Sequence, residues 1–441
     1  MTLRRFGSLS LARSSFLRQV LVLMSWTIVG QGISMASMLI LPRLFHPEQF
    51  GVFAVFSGLM VMLGVVSAAR YEFAIGLPRS DADAAAVFTL CVGLATLMFV
   101  GCLLASKVIP IVAIFPKLSA LNPWWWLVAL GAACIGWYNA ATYMALRVGS
   151  FGVVGRSKAL IAVVTALGQI VGGLFVSRGD GTLIVSLLAG QLAGTLLVVW
   201  ALSAQQLWQF DRAALGSVAA RYVGFPKYIA PGSLLDGIAV LLPVATITAL
   251  YSPAEAGIYA LAERALRVPV TLVGSSVLQV FYQRIARLRG EPDASRRLLL
   301  RTWWRMGAIA LLPCIVLALF GEGIFAVLFG ITWRNSGRVA ETMAFSMFFF
   351  FVSYPTSNIL VVNERARSFL FLQAAQAVMV GGALWFASRG ALPSLGQTVA
   401  RVVAAQTGAC LLSMALQWRA VASGQAQLTA SSETRDDDGQ R

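Results

Sequence analysis

The sequence predicts an all-α polytopic membrane protein of about 12 transmembrane helices, built as two six-helix lobes related by an internal parallel repeat. Three observations predict it: a composition too apolar for a soluble domain, a dozen stretches of membrane-spanning length, and a motif that recurs about half a chain later. Of 441 residues, 58% are hydrophobic and 12% charged. Soluble domains carry roughly twice that charged fraction. A crossing helix needs about 20 apolar residues, and lipid offers no partner for unpaired backbone groups, so every span must be helical.

The apolar stretches fall at about 19–41, 51–69, 84–106, 124–146, 159–177, 182–203, 227–250, 257–281, 303–329, 340–362, 369–387 and 394–418. The expected organisation is a basic N-terminus (1–18), an N-lobe (19–210), a C-lobe (211–418) and a polar, disordered tail (419–441) ending in DDDGQR. The first stretch is too long for the apolar core of a cleaved signal, so it is expected to stay as a membrane helix.

Charge sets the orientation. If the N-terminus is cytoplasmic, 24 of the 34 lysines and arginines fall on the cytoplasmic side and 7 outside, with Arg264, Arg267 and Arg401 inside spans. Basic loops are held on the cytoplasmic side, so both termini are expected there, in a bacterial inner membrane. The formal net charge of +16 follows from the same rule and does not imply nucleic acid. The most basic loop, Gln283 to Arg305, is expected to lie on anionic lipid headgroups.

The inventory excludes several chemistries. His46 is the sole histidine, and Cys91, Cys102, Cys134, Cys314 and Cys410 stand singly in apolar stretches. No metal cluster, His-based triad, disulfide framework or cofactor is expected. Trp124, Trp125 and Trp126 read as an interfacial aromatic belt. Gln31, Asn139, Gln169, Gln191, Gln373 and Gln376 read as amides that bond across helices, or that contact sugar hydroxyls.

Leu44–Val55 (LFHPEQFGVFAV) matches Leu250–Leu261 (LYSPAEAGIYAL) at an offset of 206 residues, with Leu, Pro, Gly and Ala coincident. Each copy lies between the first and second spans of a half. Proline starts a helix well and glycine permits close helix packing. Six spans per half give the halves one orientation, and two lobes able to rock against each other imply alternating access.

Charges within spans mark function by default, at about 2.5–3.5 kcal/mol each on insertion scales. The eighth span holds Glu263, Arg264 and Arg267; Asp236 lies in the seventh between Pro231 and Pro243, and Arg70 and Glu72 lie at the inner end of the second. One reading is a cationic site for an anionic, phosphate-bearing substrate, since the guanidinium fork binds phosphate in bidentate fashion. The other is structural pairing: Glu263 with Arg267, Arg70 with Glu72, Asp236 with a neighbouring span. Arg401 is expected to reach a headgroup region by snorkelling.

LPRLFHPEQFGVFAVFSG, RYEFAIGLPRSDADA (Arg70 to Ala84), AGIYALAERALRVPVTLVGSSVLQVF (Ala256 to Phe281), LFGITWRNSG (Leu328 to Gly337) and Pro355 occur in that order. Together they resemble bacterial polysaccharide biosynthesis proteins, the lipid-linked oligosaccharide flippases of the multidrug/oligosaccharidyl-lipid/polysaccharide exporter superfamily. The resemblance implies a carrier that moves an undecaprenyl-pyrophosphate oligosaccharide outward, for O-antigen, capsule or exopolysaccharide. It places the pattern's arginine on Arg264 and its RYE motif on Arg70, Tyr71 and Glu72. Candidate substrate residues are Arg264, Arg267, Glu263, Asp236 and Arg70, with Asp236 or Glu263 as alternative sites for a proton or sodium ion. A polysaccharide polymerase is a candidate partner. The rivals are a multidrug exporter of the same superfamily, which would want cavity carboxylates, and a membrane glycan polymerase or ligase, which would want a large acidic outer loop.

Overall fold

The computed structural model describes residues 4–108, 121–203, 212–288, 291–357, 359, 366–388 and 393–438. The side chains of 4–20, 106–108, 212–213, 286, 366–369, 387–388 and 422–438 are not part of that description. Most of the long outer loop expected from Lys107 to Pro123 therefore lies outside it, as do Arg289, Arg365 and Arg389. The protein is all-α. Among the described residues, nine helices are long and apolar enough to cross a membrane.

The helices are α1 (Arg4–Leu44), α2 (Pro47–Val66), α3 (Asp81–Val108), α4 (Trp125–Arg147), α5 (Phe151–Phe175), α6 (Asp180–Ser203), α7 (Arg212–Arg221), α8 (Ala230–Leu250), α9 (Pro253–Arg287), α10 (Pro292–Phe329), α11 (Arg334–Ser353), α12 (Ala366–Ser388) and α13 (Leu395–Asp438). Twelve coincide with the twelve apolar stretches. The thirteenth, α7, is a short amphipathic segment that hydropathy passes over. Several helices overrun their apolar cores. At 38 residues, α10 is about 57 Å long at 1.5 Å per residue, well beyond a hydrocarbon core of about 30 Å. The last helix continues to Asp438.

The chain divides into two compact units, Met1–Gly237 and Ile238–Arg441. The division falls inside α8. Within unit 1, α3 packs on α4, α2 on α4, α4 on α6, and α5 on α6. Within unit 2 the counterparts repeat the pattern: α10 on α11, α9 on α11, α11 on α13, and α12 on α13. The pairing of α1 with α5 has its echo in Leu242 of α8 against Val380 and Leu384 of α12.

The repeated motif explains this match locally. In both copies a helix ends in leucine, two residues follow, and a proline opens the next helix. The residues ahead of the prolines, His46 and Ser252, are both extended, as the steric demand of proline on its predecessor requires. Each turn satisfies an orphan helix-end group with a side chain: the His46 N–H donates to Gln49 Oε1 at 2.9 Å, and the Glu255 N–H donates to Ser252 Oγ at 3.2 Å. The aromatic after each leucine is anchored. Phe45 is buried, and the Tyr251 hydroxyl donates to the Pro393 carbonyl at 2.8 Å.

Small residues set the tightest helix seams. A Cβ on Gly190 of α6 would meet the Ile161 carbonyl oxygen of α5 at 2.8 Å. A Cβ on Gly337 of α11 would meet Cα of Glu322 on α10 at 2.6 Å. Polar side chains tie other seams. Gln169 donates to the Leu183 carbonyl at 3.1 Å across α5 and α6, the cross-helix role expected of it. Trp124 does more than sit in an aromatic belt: its indole N–H donates to Asp180 Oδ2 at 2.8 Å, joining the starts of α4 and α6.

Candidate functional site

Two polar constellations contain four of the five expected site residues, one in each unit.

In unit 2 the constellation lies on α9. Arg264 is eleven residues, about 16 Å, from the start of the helix at Pro253, and lies within the candidate membrane span Pro253–Ile285. Its side chain is exposed, and it forms no hydrogen bond or ion pair among the described residues. Arg267 is the opposite case. Its Nη2 lies 2.6 Å from Glu263 Oε1, and its Nε donates to the same oxygen at 3.0 Å. The Arg267 guanidinium also stands 5.2 Å from the Phe350 ring of α11. The i,i+4 spacing on one helical face produces that pair, as the structural reading of the sequence held. Tyr259, one turn before Glu263, is fully buried on the same face.

In unit 1 the constellation lies in the turn between α2 and α3. Ala69 and Arg70 both adopt the left-handed backbone region, with φ of 49° and 63°. Neither is glycine, and such residues cost on the order of 1–3 kcal/mol each, so surrounding structure must hold them. The holding contacts are visible. Arg70 Nε donates to Ser233 Oγ in the first turn of α8 at 2.9 Å. Its Nη1 lies 3.3 Å from Glu72 Oε1, and the guanidinium is 5.0 Å from the Phe73 ring. The Tyr71 hydroxyl donates to the Ala219 carbonyl of α7 at 3.0 Å.

Glu72 is 1% exposed, and its second carboxylate oxygen, Oε2, is buried with no hydrogen-bond partner among the described residues. Burial pushes its carboxyl above the ordinary carboxylate range; its backbone N–H and the Arg70 guanidinium pull it part of the way back.

Behind this turn, Arg147 at the end of α4 donates to the carbonyls of Ile75 at 3.2 Å and Pro78 at 2.8 Å, and to Asp81 Oδ1 at 2.9 Å. Arg147→Leu is expected to loosen residues 75–81 at a cost of about 1–3 kcal/mol. Limited proteolysis in detergent checks this; cleavage in that segment at the parental rate would count against the clamp.

Asp236 lies in the second turn of α8, exposed but not without a partner. Arg401 is exposed in the second turn of α13. Ser233, Phe73 and Phe350 were missed by sequence reasoning: a serine and a phenylalanine in apolar helices and a phenylalanine in a turn carry no signal of the arginines they hold. Among the described residues no group of His, Cys, Asp or Glu could hold a metal ion.

A bundle of membrane-length helices in two repeated units is a fold that solved transporter structures share. A lipid II flippase, MurJ, in an inward closed conformation matches with a TM-score of 0.69 and 8% identity, over 93% of this chain and 90% of that one. A multidrug resistance MATE family transporter in an inward-facing conformation matches with a TM-score of 0.61 and 15% identity, over 93% of this chain and 99% of the other. A superfamily transporter from Pyrococcus furiosus, described as having a binding pocket of reverse polarity, matches with a TM-score of 0.61 and 12% identity, over 92% and 96%. These likenesses are of fold. No curated protein matches the chain. The family described as polysaccharide biosynthesis protein matches residues 40–338, and the chain belongs to that family.

Proposed function

We propose that the protein is a flippase that carries an undecaprenyl-pyrophosphate-linked oligosaccharide outward across the bacterial inner membrane by alternating access, with both termini cytoplasmic. Arg264 carries the reading. An unpaired guanidinium within a membrane span is costly against hydrocarbon, and such charges face water-filled paths or partners of opposite sign. A pyrophosphate supplies that partner in bidentate geometry. Membership of the polysaccharide biosynthesis family supports a glycan-bearing cargo.

In this reading Arg264 meets the pyrophosphate and lowers the cost of bringing it into the membrane. Arg267 and Arg70 are auxiliary cations. Each is already held by a carboxylate, Glu263 or Glu72, and contributes only when that carboxylate lets go. Each negative charge moved outward gains about 2.3 kcal/mol per 100 mV of inside-negative potential, so the potential itself favours export. A coupled proton or sodium ion would need a carboxylate; Asp236 and Glu263 are the sequence's candidates, and Glu263 is engaged by Arg267. No step is catalytic, and a polysaccharide polymerase would act on the exported product.

Deleting the gene in its host tests the reading. The expected result is lipid-linked oligosaccharide accumulating on the cytoplasmic face while surface glycan falls. Oligosaccharide appearing outside but unpolymerised would favour a glycan polymerase or ligase. Unchanged glycan with raised sensitivity to cationic drugs would favour a multidrug exporter.

A further inference from the structure

The turn between α2 and α3 holds a group that the proposed transport step does not use. Glu72 is almost wholly buried, its Oε1 shares the Arg70 guanidinium at 3.3 Å, and its Oε2 has no partner among the described residues. An ionised carboxylate with one oxygen unsatisfied in a dry site is a poor arrangement; a protonated one needs fewer partners and carries no buried charge. Arg70 links this carboxyl mechanically to another element, because the same guanidinium that meets Glu72 also donates to Ser233 at the start of α8. Arg70 sits on a left-handed backbone, a strained conformation that its contacts must hold.

The surroundings isolate the pair. Cys91 of α3 is buried, and Tyr143 of α4 meets the Phe73 ring edge-on at 5.3 Å. Arg147 of α4 is committed to the carbonyls of Ile75 and Pro78 and to Asp81. Asp83 of α3 lies 3.9 Å from Arg221 of α7. Lys227, in the segment between α7 and α8, is exposed and lies 5.3 Å from the Tyr228 ring. Asp236, further along α8, is exposed. Among the described residues Arg70 is the cation in contact with Glu72.

We propose that Glu72 is a proton-binding site, and that its charge state decides whether Arg70 holds the α2–α3 turn onto the first turn of α8. With Glu72 ionised, Arg70 is fixed between the carboxylate and Ser233. When Glu72 takes up a proton, the charge-assisted contact is lost, and Arg70 keeps only a neutral serine and the Phe73 face. The turn is then free to part from α8, the helix through which the chain runs from the first unit into the second. The raised affinity of the buried carboxyl for a proton favours protonation in the folded state. That contribution to stability is complete below the ordinary carboxylate value and is lost as pH rises through the raised one. The coupling of this site to export rests on the flippase reading; the site itself does not.

The test is infrared difference spectroscopy of the purified protein in lipid nanodiscs during a pH titration, with export into proteoliposomes measured across the same range. The parent is expected to show a carbonyl band of a buried protonated carboxyl that disappears as pH rises. Glu72→Gln should lack the band, and Glu72→Asp, a milder change should the first not fold, should shift its midpoint. Arg70→Gln removes the neighbouring positive charge, so its midpoint should move to higher pH by about one unit or more. A band that persists in Glu72→Gln, or a midpoint unmoved in Arg70→Gln, overturns the proton site. If export is absent while the band titrates as described, the site stands and the flippase reading fails. If export occurs with the same pH profile in the parent and in Glu72→Gln, the coupling fails.

Discussion

Arg264→Ala is expected to insert and fold like the parent yet to export lipid-linked oligosaccharide about 10- to 100-fold more slowly. The figure follows from the usual worth of a charge-assisted hydrogen-bonding contact, about 1.5–3 kcal/mol, with tenfold for each 1.4. The absence of a stability cost follows from the structure: Arg264 forms no hydrogen bond or ion pair among the described residues, so its removal orphans no group. Removal also relieves an unpaired charge within a membrane span. Lysine at this position keeps the charge but not the planar fork, and should fall between the two. The measurement is transfer of a labelled undecaprenyl-pyrophosphate glycan in proteoliposomes, beside a thermal melt of each variant. Full-rate export by the alanine variant would remove Arg264 from the proposed pathway. Unimpaired export by Arg267→Ala would be less damaging, because that side chain is already spent on Glu263.

Gly337→Ala is expected to be the most damaging small substitution outside that pathway. Added at Gly337, a methyl group meets the backbone of α10 at Gly321 and Glu322 rather than the movable end of a side chain. Helix backbones that meet this closely separate only as rigid bodies, and overpacking costs about 1–3 kcal/mol even where side chains can adjust. The seam also carries the Glu322 N–H donated to Glu341 Oε1 at 2.9 Å, which separation would stretch. A melt in detergent should show a lowered midpoint for Gly337→Ala. Gly323→Ala, on the same helix α10 with nothing within 4 Å of its added carbon, should be neutral or slightly stabilising. Equal midpoints for the two variants would sink the argument.

Much of the architecture was legible because the bilayer imposes a length and a polarity that sequence records directly. Twelve apolar stretches became twelve helices, and the proline-glycine motif marked the start of the second helix in each half. The i,i+4 pair Glu263–Arg267 was legible for the same reason: spacing along one helix is written in the sequence. What was hidden depends on contacts between distant segments or on backbone shape. Arg70 and Ser233 are 163 positions apart, so nothing local announces their bond. The left-handed turn at Ala69 and Arg70 was invisible because neither residue is the glycine that normally signals it. The sequence puts Glu72 at the inner end of the second span beside Arg70, and only packing shows it to be buried. Short α7 fell below the length at which hydropathy speaks, and the unit boundary within α8 left no mark in composition.

The length of α10 has a consequence for the membrane in which the protein works. Its first four turns present Arg297, Arg301 and Arg305 on one side, with Trp304 79% exposed among them, and a helix of this length exceeds the hydrocarbon core. Guanidinium groups and an indole ring together fix the level at which headgroups meet the helix, while Gly321 and Gly337 weld its far end to α11. The helix therefore acts as a gauge of bilayer thickness. In a thinner membrane it must tilt, at fractions of a kcal/mol for each ångström of mismatch, and it takes α11, with Phe350 against Arg267, along with it. Lipid chain length thus becomes a physical setting for the grip on Arg267, without any ligand.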